Sequence, residues 1–505
     1  MAVSDVDFVV VGSGPNGLVA ACTLAEQGCR VLVLEAHPGH PGGAVWSEES
    51  TLPGFVHDVG AAFFTFGKLS PAFRKLGIVR RGVAWRHAEL ESCHPAADGS
   101  YACISRDPDV NAREFGSPRD GETWRELCAR HAEIEPHLMD ALLQPLGTIE
   151  PVLRLLPFDL FRIGRIMTSR GRGLAHRLFE SEAARRVLPG LALHGDIGPD
   201  DRCGAGIGYL LGVLASTQGF AVPEGGARSV TETLVRLLES HGGQIRLGAR
   251  VDRVVVRNRR VQAVRIAGGA TVACARGVLA DTAAPSLFLD LVARHHFPSR
   301  VVSAMERFPF GWGTFKMDWA LSAPVPWAAE PARRSAVVHA GDSLEDLARF
   351  TREVRTGQLP EHPYLVIGQQ SLADPTRAPE GQHTLWAYSR VPSRPNGGWE
   401  VWRERFADRI EARIERLAPG FRQLVLERRI VTPADLEATN ANLVGGDHGG
   451  GSNAWHRQLV FKPVFPYFRY ATPVRGLYLC SSYAHPGAGV HGMCGYNAAR
   501  IALRR

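Results

Sequence analysis

Apolar residues gather in short unbroken runs at the start, in the middle and at the end of the chain, and a glycine turn closes the first of them. Asp7 to Val11 shows no polar alternation and reads as a strand buried on both faces; it feeds into Gly12-Ser13-Gly14-Pro15-Asn16-Gly17. Leu18 to Gln27 has helix-forming composition, with Ala20, Ala21 and Ala25 for close packing and Gly28 to end it. Arg30 to Leu34 predicts a second strand, finished by Glu35. Further on, a helix over Ser229 to Ser240 precedes strands Gln244 to Leu247, Val251 to Val256 and Val261 to Ile266 in succession, turning at Asn258-Arg259, before Gly277 to Ala280 returns to the sheet. At the far end Gly476 to Ser482 predicts a strand, Tyr483 to Met493 a glycine-rich loop, and Cys494 to Leu503 a helix.

The intervening stretches differ in kind. Residues 120 to 221 are helical by composition and include Leu155 to Met167, where apolar side chains interleave with arginines. Such a stretch suits either a solvated basic face or a membrane surface from which an apolar substrate is drawn. Residues 291 to 430 mix strands (Ala336 to His339, Tyr364 to Gly368, Thr384 to Ser389) with a helix from Trp402 to Leu417, a pattern that fits a sheet flooring a cavity. Aromatic clusters at Phe63, Phe64 and Phe66, at Trp312, Phe315 and Trp319, and at Phe465, Tyr467 and Phe468 make that cavity largely apolar wherever they line it.

Strand, glycine turn, helix, strand and acid in this order have a physical logic. Gly12 allows the tight turn, Gly14 lets the backbone approach a pyrophosphate, and Gly17 lets helix and strand pack closely. Pro15 and Asn16 complete the turn before the helix, whose free N–H groups and positive dipole end attract phosphates. Glu35 is placed to bond an adenosine ribose. The unit alone does not separate NAD from FAD. Two further features favour FAD. Ala36 to Ala44 carries Gly42-Gly43, whose backbone reaches the same pyrophosphate from the opposite side. The closing loop, with Gly489, Val490 and His491, delivers a helix N-terminus suited to the flavin's pyrimidine edge, where reduction deposits negative charge.

Composition narrows the class. At 505 residues, two associated domains are expected. The net charge of +7 comes from arginines scattered through every segment with no nucleic-acid signature, so no nucleic-acid partner is expected. Nine dispersed cysteines without a C-x-x-C pair predict neither a disulfide framework nor a metal site. With no basic leader and no apolar run of about 18 residues, a cytoplasmic protein is expected, with peripheral membrane contact left open.

VVVGSGPNGLVAACTLAEQGCRVLVLEAHPGHPGGA near the start and GLYLCSSYAHPGAGVHGMCGYNAA near the end together resemble the FAD-dependent phytoene desaturase and amine oxidase superfamily, and most closely its phytoene-dehydrogenase-related branch. Pro223-Glu224-Gly225-Gly226 with its helix, and Gly313 to Leu321, carry the likeness through the middle of the chain. The resemblance implies an α/β fold: a glutathione-reductase-type FAD-binding Rossmann domain, discontinuous over 1–85, 222–290 and 430–505, with an α+β substrate domain over 86–221 and 291–429. It also implies a backbone contact from Val251 to adenine. Many relatives have Gly-Asp where this chain has Ser481-Ser482, so the ribityl or pyrophosphate contact made by that acid is not implied here.

For activity, the resemblance implies a dehydrogenase or desaturase acting on a hydrophobic or secondary-metabolite substrate, with O2 or a quinone reoxidising FAD. An amine oxidase, a non-redox flavin isomerase and a flavin-bearing binding or regulatory protein remain alternatives. His485 and His491 in the closing loop are the candidates for proton handling. Lys316 shares a strand face with Thr314 and Asp318; an ion pair with Asp318 explains it, and so does a lysine holding a water near flavin N5, as in some amine oxidases. Oligomeric state is not readable from these residues.

Overall fold

The computed structural model describes residues 6–505; the first five residues, included in the search for a leader, lie outside them. Strand Val6–Val11 is the centre of the first sheet, buried because it is flanked on both sides: Val10 pairs in parallel with Val33 of Val31–Leu34 and with Leu279 of Thr271–Ala280. Gln244–Arg246 extends the sheet beyond Val31–Leu34, and Leu477–Leu479 extends it beyond Ala280, all in parallel. The carboxyl ends of five strands therefore share one edge, where ligands bind in open parallel sheets.

Thr271–Ala280 serves two assemblies. Its second half belongs to the parallel sheet, while its first half pairs antiparallel with Arg260–Ile266, which pairs in turn with Val251–Arg257. The expected succession of three strands after the helix thus splits. Gln244–Arg246 lies at the opposite edge of the sheet from Val251–Arg257, because a strand's side-chain pattern does not specify its neighbour.

A second sheet runs in the order Val425–Val431, Gly313–Leu321, His383–Val391, Leu365–Gly368, Ser335–Ala340, Leu90–Cys93 and Cys103–Ile104. Its strands are antiparallel except where Ser335–Ala340 meets Leu90–Cys93. Alternation along Gly313–Leu321 divides its residues: Phe315, Met317, Trp319 and Leu321 join a core with Phe406, Ile410 and Ile414 of helix Gly398–Leu417. The opposite side of the sheet contributes Val337, Val366 and Trp386 to a second core with Leu188, Leu191 and Val213 from the helical stretch between Pro118 and Thr217. No helix among the described residues is long and apolar enough to cross a membrane.

Candidate functional site

The glycine turn is built so tightly that side chains are excluded from it. Gly12 has φ +92°, and a Cβ there would stand 2.8 Å from the Asp281 carbonyl oxygen; a Cβ on Gly17 would stand 2.3 Å from the Gly12 carbonyl oxygen. Pro15 occupies the first turn of helix Pro15–Ala25, where its missing N–H leaves nothing unpaired. The Gly17 N–H donates to Asp281 Oδ2 at 2.9 Å, placing a carboxyl group directly beneath the turn. Sequence reasoning passed over Asp281. The available signal was its position, one residue past the last apolar residue of a parallel strand, as Glu35 stands past Leu34.

Glu35 braces the same turn: one carboxylate oxygen accepts the Ser13 N–H at 2.8 Å and the other accepts the His37 N–H at 2.8 Å. The Gly42 N–H donates to the Ser13 carbonyl at 3.0 Å, and a Cβ on Gly43 would lie 3.5 Å from Gly14 Cα, so the two glycine segments touch. Ala44 is half-buried beside them, and Ala36 is exposed. Val251 opens its strand two residues after Ala249, whose N–H donates to the Glu35 carbonyl at 2.7 Å.

The closing segment arrives at this edge. The Cys480 N–H donates to the Ala280 carbonyl at 2.9 Å, and Ser481 Oγ donates to the Thr282 carbonyl at 2.7 Å. Ser482, half-buried, follows in the loop. Helix Met493–Leu503 begins against helix Pro15–Ala25 so closely that a Cβ on Gly495 would fall 1.8 Å from the Asn16 carbonyl oxygen. In the loop before it, Gly489 has φ +134° and the β-branched Val490 has φ +51°. A left-handed valine is strained by about 1–2 kcal/mol, which the surrounding contacts must offset. Met493 N–H donates to His491 Nδ1 at 3.0 Å, and His485 Nε2 bonds the Gln144 carbonyl at 3.1 Å. Burial pushes the pKa of His485 down to about 4 and that of His491 down to about 3, so both rings are neutral at working pH.

Lys316 lies apart from these groups, in the second sheet, ion-paired with Asp318. Between that sheet and the closing loop runs the segment Asp447–Gly451, which sequence reasoning did not single out; a Cβ on Gly450 would stand 2.7 Å from the Ser482 carbonyl oxygen. His448 bonds Thr314 Oγ1 at 3.1 Å and Arg390 Nη1 at 3.1 Å. It keeps an exposed surface, and desolvation together with the charge of Arg390 holds its pKa well below the usual histidine value. His194, bonded to Tyr388 at 3.2 Å, is pushed down to about 4 by burial, and Arg390 Nε donates to Asp196 at 2.5 Å. The result is a cluster of neutral or internally paired polar groups beside the closing loop.

A dinucleotide fits the carboxyl edge of the first sheet. A Cβ at position 12, 14 or 17 would collide with Asp281 or the Gly12 carbonyl and force the turn open, and Asn16 Oδ1 is buried there without a partner among the described residues.

Residues 10–76 match the NAD(P)-binding Rossmann-like domain family. Over 99% of its length the chain is 28% identical to the pyridine nucleotide-disulfide oxidoreductase domain-containing protein 2 of Rattus norvegicus, covering 93% of that protein. It is 26% identical to the lycopene-forming phytoene desaturase of Pseudescherichia vulneris, covering 96% of each. In fold it is similar to a putrescine oxidase solved with putrescine bound, with a TM-score of 0.64 and 17% identity over 99% of this chain and 98% of that one. The glycine turn, the closing loop that meets it and these likenesses make the chain similar to the FAD-dependent phytoene desaturases, with the fold of the amine oxidases, and support an oxidoreductase.

Proposed function

We propose that the chain is an FAD-dependent dehydrogenase or desaturase that takes hydrogen from a carbon–carbon or carbon–heteroatom bond of a hydrophobic or secondary-metabolite substrate. When bound, FAD supplies the two-electron chemistry by accepting a hydride at flavin N5. The observation that carries the reading is the meeting of two helix N-termini, remote in sequence, at Asn16 and Gly495 on the carboxyl edge of the parallel sheet. On this reading Gly12, Gly14, Pro15, Asn16 and Gly17 hold the pyrophosphate from one side and Ala36, Gly42, Gly43 and Ala44 from the other. Glu35 serves the ribose, directly or through the turn that it braces, and Val251 serves the adenine. Ser481 and Ser482 follow the ribityl chain, while Gly489, Val490 and His491 meet the pyrimidine edge.

His448 and His194 face the substrate as acceptors of the proton that leaves with the hydride, Tyr388 holding His194 in place through its hydroxyl, and His485 and His491 remain candidates for the same task. The likeness to a phytoene desaturase favours an apolar substrate. O2 or a quinone then reoxidises the cofactor. The division into an FAD-binding domain (1–85, 222–290, 430–505) and a substrate domain (86–221, 291–429) is supported by the strands: those of the first sheet fall in the first set of segments. Those of the second sheet fall in the second set, except that Val425–Val431 crosses position 430.

The test begins with the visible spectrum of purified protein. The expected result is bound flavin, lost in Gly14→Val, whose side chain would enter the space of Asp281 Oδ2. Anaerobic addition of candidate substrates then decides the reaction. Flavin bleaching in proportion to product supports dehydrogenation, and product without bleaching sinks it in favour of an isomerase.

A further inference from the structure

Only four of the 58 basic residues are lysine, and three have ordinary surroundings. Lys68 Nζ donates to the Gln218 carbonyl at 2.8 Å, Lys316 pairs with Asp318, and Lys75 is exposed. Lys462 differs: it is 4% exposed, and its Nζ is buried with no hydrogen-bond partner among the described residues. An unpaired ammonium inside a protein is costly enough that its partner has to be accounted for. Burial pushes its pKa below the usual lysine value, and the carboxylate whose field opposes this, Asp447, already accepts the N–H groups of Gly311, Gly449 and Gly451, so a negative group brought beside Lys462 would hold its proton.

The ammonium lies against the closing loop. A Cβ on Gly487 would stand 3.2 Å from Lys462 Nζ and 3.9 Å from the Ser482 carbonyl oxygen. The helix Met493–Leu503 opens at the end of the same loop with Gly492 as its N-cap and no side-chain cap. Cys494 Sγ in its first turn lies 3.5 Å from the Gly487 carbonyl oxygen. Two positive features, an ammonium and a helix N-terminus, therefore converge on one loop, where the other titratable groups are histidines held neutral, buried thiols and the more distant carboxyls of Asp447 and Asp281.

We infer that Lys462 is the cationic partner of the pyrimidine edge of bound FAD and favours the cofactor's anionic, reduced form. This rests on the FAD reading above and assigns one residue's part in it. Reduction puts negative charge on the N1–C2=O edge, and a preorganised donor of opposite charge stabilises what develops there.

Sulfite is a suitable probe, because it adds to flavin N5 and leaves negative charge on the same edge. Lys462→Met and Lys462→Arg, purified with FAD, are titrated with sulfite while the visible flavin band is followed, and their reduction potentials are read against a dye. A charged hydrogen bond of ordinary strength predicts sulfite binding weakened about tenfold or more in Lys462→Met, a lower potential, and recovery of most of both in Lys462→Arg. FAD-loaded Lys462→Met with unchanged sulfite affinity and potential would overturn the inference. Lys462→Gln, near in length and able to hydrogen-bond, carries the same test if the methionine variant does not fold. Unmodified protein that takes up no FAD overturns the cofactor reading itself, a different outcome from loaded protein that ignores the substitution.

Discussion

The Gly17 N–H donates to Asp281 Oδ2 across 264 residues of sequence, so the turn assigned to a pyrophosphate has a carboxyl group of its own beneath it. Burial, joined by the charge of Glu35 and opposed by the Gly17 N–H, lifts the Asp281 pKa from 3.8 to about 7. A carboxyl whose pKa rises on folding contributes its stability below the unfolded value of 3.8 and loses it as pH climbs toward 7. Thermal midpoints are expected to fall between pH 5 and pH 8 by more in the unmodified chain than in Asp281→Asn, whose amide cannot ionise. FAD retention should follow the same course, since an ionised Asp281 repels a pyrophosphate at this turn. Parallel pH dependence in the two proteins would remove Asp281 from the argument.

His485 bonds a backbone carbonyl and His491 accepts a backbone N–H, and burial keeps their pKa values near 4 and 3. Neither ring then titrates near the ordinary histidine value, and the rate profile between pH 5.5 and 8 is expected to carry no limb from them, a range chosen around the usual pKa of about 6.5. His485→Asn should alter turnover more than flavin content. A lost limb near pH 6.5 in that variant would show that the imidazole titrates there after all.

What could be read from residue order was the part of the fold that local chemistry dictates. The sequence Gly12 to Gly17 between an apolar run and a helix predicts its own turn, since only glycine fits φ +92° with a backbone oxygen 2.8 Å away. The closing loop was legible for the same reason, with Gly489 and Gly492 at positive φ. Asp281, Lys462 and His448 were not, because each takes its meaning from a neighbour far along the chain: Gly17, Gly487 and Thr314. The edge on which Gln244–Arg246 pairs was hidden likewise, and so was the strand Leu90–Cys93, too short to show a period.

Asp58 and Arg377 form an ion pair with neither side chain exposed, between the hairpin of Ser47–Glu49 and Val56–Asp58 and the segment that follows Leu365–Gly368. Burial alone would raise the Asp58 pKa, but Arg377, Ser47 Oγ and the Ala227 N–H outweigh it and hold it below the usual value. This contribution is present above the unfolded pKa and is lost as pH falls. Arg377→Met leaves a buried carboxylate without its counterion and is expected to cost about 3–5 kcal/mol in urea unfolding. Asp58→Asn combined with Arg377→Met should recover part of that loss. A single variant as stable as the parent would show that Asp58 is satisfied without the guanidinium.

Phe158 is 84% exposed and Phe161 69% exposed, on a helix, Phe158–Met167, that follows exposed Leu153 and Leu156. Arg154 and Arg165 stand exposed in the same stretch, so its apolar and basic character suits an anionic lipid surface, from which an apolar substrate could enter the protein. Burying one phenylalanine is worth about 1.5–3 kcal/mol, and even half of that at two positions amounts to tenfold in partition. Phe158→Ser with Phe161→Ser is therefore expected to reduce sedimentation with phosphatidylserine-containing vesicles about tenfold, and added salt to weaken binding of the unmodified chain. Because both rings already face outward, the thermal midpoint should hardly move. Equal partition of the two proteins would mean that these side chains are covered by something other than lipid, or by nothing.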